Sequence, residues 1–264
     1  MPRFTFLDHP GPLAFAHRGA HGPGLPPENT MAAFRAAVDL GYEYLETDVH
    51  VTADGVLVAF HDDRLDRVTD RAGVIAELPW AEVRRSRVGG SEPVPLLADI
   101  LEEFPDIRIN IDPKHDAAVQ PLVHAIRTFG AVDRVCVGSF SDVRIAQARA
   151  LLGPRLCTSL GPRATTRLAA ASRGLGRPRF AAGAAQVPTT VRGRELVGPR
   201  FVAAAHAAGL HVHVWTVDSP DEMHRLLDLG VDGLLTDRAA LLLEILAERS
   251  GAAGRAVRPT ELPD

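Results

Sequence analysis

The stretch ETDVHVTADGVLVAFHDD, residues 46–63, places two acids two residues apart, then a short apolar run closed by a histidine. Side chains alternate across a strand, so Glu46 and Asp48 point one way and Thr47 the other. Working outward from this pair, short β-rich runs alternate with helical patterns along the chain. Strands read at 13–16, 44–49, 108–112, 135–139, 156–159, 184–187, 211–216 and 233–236. Helical patterns fall at 30–40 with Asn29 as cap, 117–129, 141–152, 194–208 and 221–229, the last two followed by Gly209 and Gly230. Eight β-then-α units predict an α/β fold, a TIM (β/α)8 barrel forming a single domain over residues 1–249. A doubly wound sheet more often has five or six strands and a glycine-rich first turn, and neither GxGxxG nor a P-loop is present.

One interval breaks the rhythm. Almost 60 residues lie between Val49 and Arg108, more than a single crossover needs. They contain an extra strand at 56–60, a polar stretch and a short helix near 79–87, so residues 62–96 read as a small insertion after strand 2, over the C-terminal mouth of the barrel. Residues 161–179 read as one helix with a loop after it, and 250–264, SGAAGRAVRPTELPD, as a frayed, disordered tail.

With 264 residues, 46% hydrophobic and 23% charged, the chain is ordinary globular material. A net charge of -4 with scattered arginines gives no footprint for nucleic acid or an anionic membrane. The first residues lack the continuous apolar core of a signal peptide, and no run approaches the length of a membrane helix. Cys136 and Cys157 lie in apolar strand-like segments and read as buried free thiols. A cytoplasmic protein with a small-molecule substrate, no nucleic-acid partner and no stable membrane insertion is expected.

A TIM barrel places its chemistry where its strands end. Strand 1 closes in His17-Arg18-Gly19, with Glu28 in the next loop; strand 2 brings Glu46 and Asp48; the extra strand ends in His61-Asp62. Strand 3 ends in Asp112, with Lys114 two residues on, and strand 7 in Trp215, read as core or as a wall touching substrate. Three inward carboxylates repel one another when bare. Either one stays protonated or a hard cation binds, and the cation, Mg²⁺ or Ca²⁺ with Mn²⁺ as a further option, is the favoured reading. The absence of cysteine from the group argues against structural zinc.

Histidines at two strand ends suit proton transfer, and Arg18 with Lys114 supplies charge for an anion, together suggesting phosphoryl or phosphodiester chemistry. Lys114 is the one lysine among 29 basic residues. A compact ammonium reaches an oxygen in a crowded mouth where a planar guanidinium does not fit. His124, His206 and His224 read as structural, Asp237 as a helix cap, Arg64 and Arg67 as a solvated face, and Asp62 as a turn residue close enough to orient His61.

These motifs resemble the glycerophosphodiester phosphodiesterase family. The similar segments are AHRG at 16–19, PENT at 27–30, the 46–63 run, the acid-x-lysine pair at 112–114, WTVD at 215–218 and GVDGLLTD at 230–237, in family order across about residues 13–240. The resemblance implies a TIM barrel with a small insertion, a divalent metal, and hydrolysis of glycerophosphodiesters to sn-glycerol 3-phosphate and an alcohol. It implies Glu46, Asp48 and Asp112 as metal ligands, His17 and His61 as the acid–base pair, and Arg18, Glu28 and Lys114 as groups that bind and position phosphate. Asp112 departs from the family's usual glutamate by one methylene. The nucleophile is either water or the neighbouring glycerol hydroxyl. Two other readings stand beside this one: a lysophospholipase D-type enzyme, which would need an exposed apolar rim, and a barrel that binds a phosphorylated ligand without catalysis.

Overall fold

The structure, a computed structural model, describes residues 3–256. The chain runs β1 (Leu13–His17), α1 (Met31–Asp39), β2 (Tyr44–Val51), β3 (Leu57–Ala59), α2 (Trp80–Val83), β4 (Arg87–Val88), β5 (Glu92–Pro93), α3 (Leu97–Glu103) and β6 (Arg108–Pro113). It continues through α4 (Val119–Thr128), β7 (Val135–Val137), α5 (Asp142–Leu152), β8 (Cys157–Thr158), α6 (Pro162–Ala171), β9 (Ala184–Pro188), β10 (Thr190–Val191) and β11 (Arg194–Glu195). Last come α7 (Pro199–Ala207), β12 (His211–Trp215), α8 (Pro220–Asp228), β13 (Gly233–Thr236) and α9 (Ala239–Ala256).

Eight strands pair in parallel in the order β8, β7, β6, β2, β1, β13, β12, β9, and a bridge from Ser159 to Ala184 joins the two ends into a nearly closed barrel. The short apolar runs became strands because a parallel strand covered by helices is buried on both sides; every residue of β2, β7 and β13 is buried. Helices pack outside in two apolar groups, one around β2, β6 and β7 and one around β9, β12 and β13. The N-terminal residues Phe4, Phe6 and Leu7 close the bottom with Phe15 and Tyr44, whose hydroxyl donates to the Phe6 carbonyl at 2.9 Å.

Three details differ from the sequence reading. Thr30, not Asn29, caps α1: its hydroxyl accepts from the Ala33 amide at 3.2 Å, while the Asn29 side chain accepts from the Thr47 hydroxyl at 2.7 Å. The expected helix at 194–208 begins only at Pro199, because 194–195 pair with β10 in a small hairpin, and proline suits the first helical turn. The last helix runs through Ala256, into the segment read as a tail; the rest of that segment lies outside the described residues.

Leu65, Ile75, Val83, Val88 and Val94 of the 62–96 segment form an apolar group of their own with Val58 of the antiparallel β3 and Phe60 just after it. Its packing sets the two side chains at its base, His61 and Asp62, beside the ends of β1 and β2. Among the described residues, no helix is long and apolar enough to cross a membrane.

Candidate active site

The turn after β1 sets the geometry of the mouth. Arg18 has φ 57° and Gly19 φ 83°, two successive left-handed residues that turn the chain away as the barrel ends. A Cβ on Gly19 would lie 2.7 Å from the Ala33 carbonyl carbon, so α1 docks there only against glycine. The turn aims the Arg18 amide at Glu46 Oε2 (3.3 Å), and its guanidinium reaches Glu28 (3.0 Å) and Asp48 (3.4 Å).

Glu46 and Asp48 leave the same face of β2, as the alternation requires, and Asp112 stands beside Asp48 in register on β6. All three are buried. Burial, then the neighbouring Asp48, hold the Glu46 carboxyl well above the usual carboxylate range. Burial also raises Asp112, against the pull of Lys114. The Lys114 ammonium sits between two of the acids, 2.6 Å from Asp48 Oδ1 and 2.9 Å from Asp112 Oδ2. Desolvation works against that charge, yet the two aspartates hold the ammonium above its ordinary value.

The two histidines are each held by an aspartate. His17 Nδ1 is 2.6 Å from Asp237 Oδ1 and its Nε2 is 3.8 Å from Glu46; burial lowers its pKa, but Glu46 and Asp237 outweigh this and raise it. His61 Nδ1 is 2.5 Å from Asp62, and its carbonyl oxygen lies 3.0 Å from His50 Nε2. With Nδ1 bonded to a carboxylate, each imidazole turns Nε2 the other way.

These groups line a pocket of about 440 Å3. Its walls are unequal. Every titratable lining residue lies between His17 and Lys114, and the lining residues from Gly138 to Leu235 carry no titratable group. Trp215 is a half-buried wall of the second half, its ring 5.6 Å from that of Phe140.

The family model described as the glycerophosphoryl diester phosphodiesterase family matches residues 17–241. The chain belongs to that family. It is similar to the protein named "Probable glycerophosphodiester phosphodiesterase 2" of Mycobacterium tuberculosis, 42% identical over 254 residues that cover 94% of this chain and 96% of the relative. It is also similar to the glycerophosphodiester phosphodiesterase of Caldanaerobacter subterraneus, 28% identical across 89% of this chain and 97% of that one. Among solved structures, a phosphodiesterase from Oleispira antarctica, in complex with the product sn-glycerol-3-phosphate, shares the fold at TM-score 0.73 and 23% identity, covering 89% of this chain and 97% of that one.

In this phosphodiesterase, the sequence-derived residues His17, Arg18, Glu46, Asp48, His61, Asp112, Lys114 and Trp215 all face one pocket, and Glu28 stands behind Arg18. The three carboxylates named as ligands are not drawn into one tight cluster, because Lys114 occupies the space between two of them. Among the described residues, the three metal-ligating side chains that do lie within 4.8 Å of one another are His17, His21 and Asp237. Those three already satisfy one another: Asp237 Oδ1 also lies 3.2 Å from His21 Nε2.

A divalent cation nonetheless fits the acidic set better. Glu46, Asp48 and Asp112 offer hard oxygens, and Asp112 Oδ1 is buried without a hydrogen-bond partner.

Two positions have other partners than the sequence suggested. Asp237 does not cap α9; its carboxylate holds His17 and His21, while the Thr236 hydroxyl accepts from the Arg238 amide. Arg67 is no mere solvated face. Its guanidinium bonds both Asp62 (2.5 and 3.1 Å) and Glu28 (2.7 and 3.1 Å), tying the insertion to the loop after β1 and pulling Asp62 down to about 2. A basic residue near an HD pair was the only available signal. His211 and His213 join no cluster of three ligating side chains among the described residues, and burial drives the His213 pKa down to about 3.

Proposed function

We propose that this enzyme hydrolyses glycerophosphodiesters to sn-glycerol 3-phosphate and an alcohol, with a divalent cation held by Glu46, Asp48 and Asp112. The observation that supports it best is the convergence of two aspartate-bound imidazoles, His17 and His61, on a pocket that also holds three buried carboxylates, Arg18 and Lys114. A cation there, Mg²⁺, Ca²⁺ or Mn²⁺, supplies Lewis-acid polarisation of a phosphoryl oxygen.

The protein's own groups account for the rest. Lys114 and Arg18 offset charge on the phosphodiester. One imidazole takes a proton at Nε2 from the nucleophile, water or the adjacent glycerol hydroxyl, and the other gives a proton from Nε2 to the departing alkoxide; where the glycerol hydroxyl attacks, a cyclic phosphate forms, and water opens it to glycerol 3-phosphate in a second step with the two imidazoles exchanging roles. Asp237 and Asp62 keep each ring in the orientation that presents Nε2. Glu28 takes no part in the chemistry; it holds Arg18 and Arg67 in place.

Release of glycerol 3-phosphate from a panel of glycerophosphodiesters tests this, after chelator treatment and then with each cation restored. Turnover that returns with a cation and vanishes in His17→Ala is the expected result. Silence across the panel from folded protein would sink the reading.

A further inference from the structure

His17 has two ring nitrogens, and the chemistry proposed above uses only Nε2, the one nearer Glu46. Nδ1 points behind the pocket. There Asp237 Oδ1 lies 2.6 Å from it, and His21 Nε2 lies 3.2 Å from that same oxygen. Neither His21 nor Asp237 lines the pocket, so the three form a small polar site of their own that shares one imidazole with the active centre. Its parts are held differently. β1 pairs with β13 in parallel, Ala16 opposite Thr236, which brings His17 and Asp237 together at the ends of two barrel strands. Asp218 fixes the turn after β13 by accepting from the Asp237 amide and the Thr236 hydroxyl, each at 2.9 Å. His21 arrives on the loop after β1 and is followed by Gly22 at φ 130°, where an added Cβ would meet nothing within 4 Å. Two ligating groups are therefore preset, and the third has room to adjust.

The donor set decides what would bind. Two imidazole nitrogens and one carboxylate oxygen, all within 4.8 Å of one another, suit a borderline ion such as Zn²⁺, which takes three such ligands and leaves a fourth corner to water. Zinc bonds of about 2.0–2.1 Å in tetrahedral array space the ligand atoms roughly 3.3 Å apart. The His21–Asp237 separation already matches that spacing, and the His17–Asp237 contact has to open by roughly 0.7 Å. The Asp237 side chain is 41% exposed, which gives the ion a path in and water a place at the open corner. Mg²⁺ and Ca²⁺ take oxygen ligands and favour the three carboxylates instead.

We propose that His17, His21 and Asp237 form an inhibitory zinc site, separate from the carboxylates that hold the working cation. An ion at Nδ1 takes that nitrogen's lone pair. If the ring starts as imidazolium, the Nδ1 proton leaves to solvent; if it starts neutral, its single proton ends on Nε2. In both cases Nε2 keeps a proton and has no lone pair. It cannot accept a proton from the nucleophile, and a neutral metal-bound imidazole gives one to the alkoxide far less readily than an imidazolium does. Inhibition rests on the proton-transfer role proposed for His17; binding of the ion does not.

Two titrations test this on the full chain and on His21→Ala, each supplied with the cation that best supports turnover. In the first, Zn²⁺ is added during hydrolysis of a glycerophosphodiester. In the second, Co²⁺ replaces Zn²⁺ and its visible absorption is followed without substrate. The expected result is that Zn²⁺ inhibits the wild type, that an excess of the working cation does not relieve the inhibition, and that His21→Ala needs at least about tenfold more Zn²⁺ for the same loss. Wild type should also show the intense absorption of four-coordinate cobalt, and His21→Ala should lose it. Equal Zn²⁺ sensitivity in the two proteins would overturn the proposal, as would inhibition relieved by the working cation, which would place the zinc on the carboxylates. A cobalt spectrum that is faint, or unchanged by the substitution, would overturn it as well. No turnover of any diester would sink the proposed function, while the cobalt titration would still decide the site.

Discussion

The two halves of the barrel mouth are built from opposite materials. From His17 to Lys114 the wall carries histidines, acids, an arginine and a lysine; from Gly138 to Leu235 it carries amides, hydroxyls and apolar side chains. The first half is cross-linked: Arg18, Glu28, Arg67 and Asp62 form one chain of ion pairs, and Lys114 clamps two aspartates. The second half has no ion pair among its lining residues; the Gln186 amide donates to Asn110, and apolar packing supplies the rest. Charged groups in a shielded site must be fixed to be useful, because their energies change steeply with position, whereas an apolar wall tolerates variation. Titratable groups and neutral wall are thereby separated in space.

The sharpest way to break the comparison is to remove a proton carrier. His17→Ala or His61→Ala should each lower kcat by about 10²- to 10⁴-fold, measured on a glycerophosphodiester, with the fold confirmed by circular dichroism. A loss of only a few-fold would show that the charged half is not where the chemistry happens.

Lys114→Arg keeps the charge but replaces a compact ammonium with a planar fork between Asp48 and Asp112. A fall in kcat/KM of up to about 100-fold is expected from the displaced groups. Unchanged kinetics would mean that charge alone matters at this position.

Asp237→Asn tests a tether that the chain just after β13 lends to the charged half. Outer partners of this kind contribute about 10- to 100-fold, so kcat should fall within that range. The pH profile gives the sign. Glu46 and the Asp237 contact hold the His17 pKa above its ordinary value, so His17 keeps its proton to higher pH than a free imidazole. Removing the anion lowers that pKa, and the limb of the kcat profile belonging to His17 should move to lower pH. A limb that stays in place would disconnect Asp237 from His17.

Arg67→Ala should have the smallest effect, a few-fold loss in kcat, because the guanidinium is half exposed and acts on His61 only through Asp62. Arg67→Lys should restore only part of it, since lysine cannot bond both carboxylates of the clamp in bidentate fashion.

The eight barrel strands were legible because each is a short apolar run between helical patterns, and the charged half because its groups sit at strand ends in compact motifs. What escaped depends on partners distant in sequence. Asp237 reaches His17 across 220 positions, and Arg67 reaches Glu28 across 39, so neither role leaves a local pattern. The hairpin at 190–195 was masked by an alanine-rich helix that follows it, and Phe140 is a single aromatic in a polar loop. A rim built from isolated residues has no periodicity to betray it.

The pairing of β1 with β13 has a consequence for how the protein is made. His17 emerges from the ribosome early, but its aspartate partner follows 220 residues later. At about 5–20 residues per second, that is a delay of roughly 10–45 seconds. For the later part of that interval, once Lys114 has been made, the growing chain already contains nearly every charged group of the pocket, yet the barrel has no last stave to lock them. A chain abandoned before β13 is therefore left without the carboxylate that holds its first histidine.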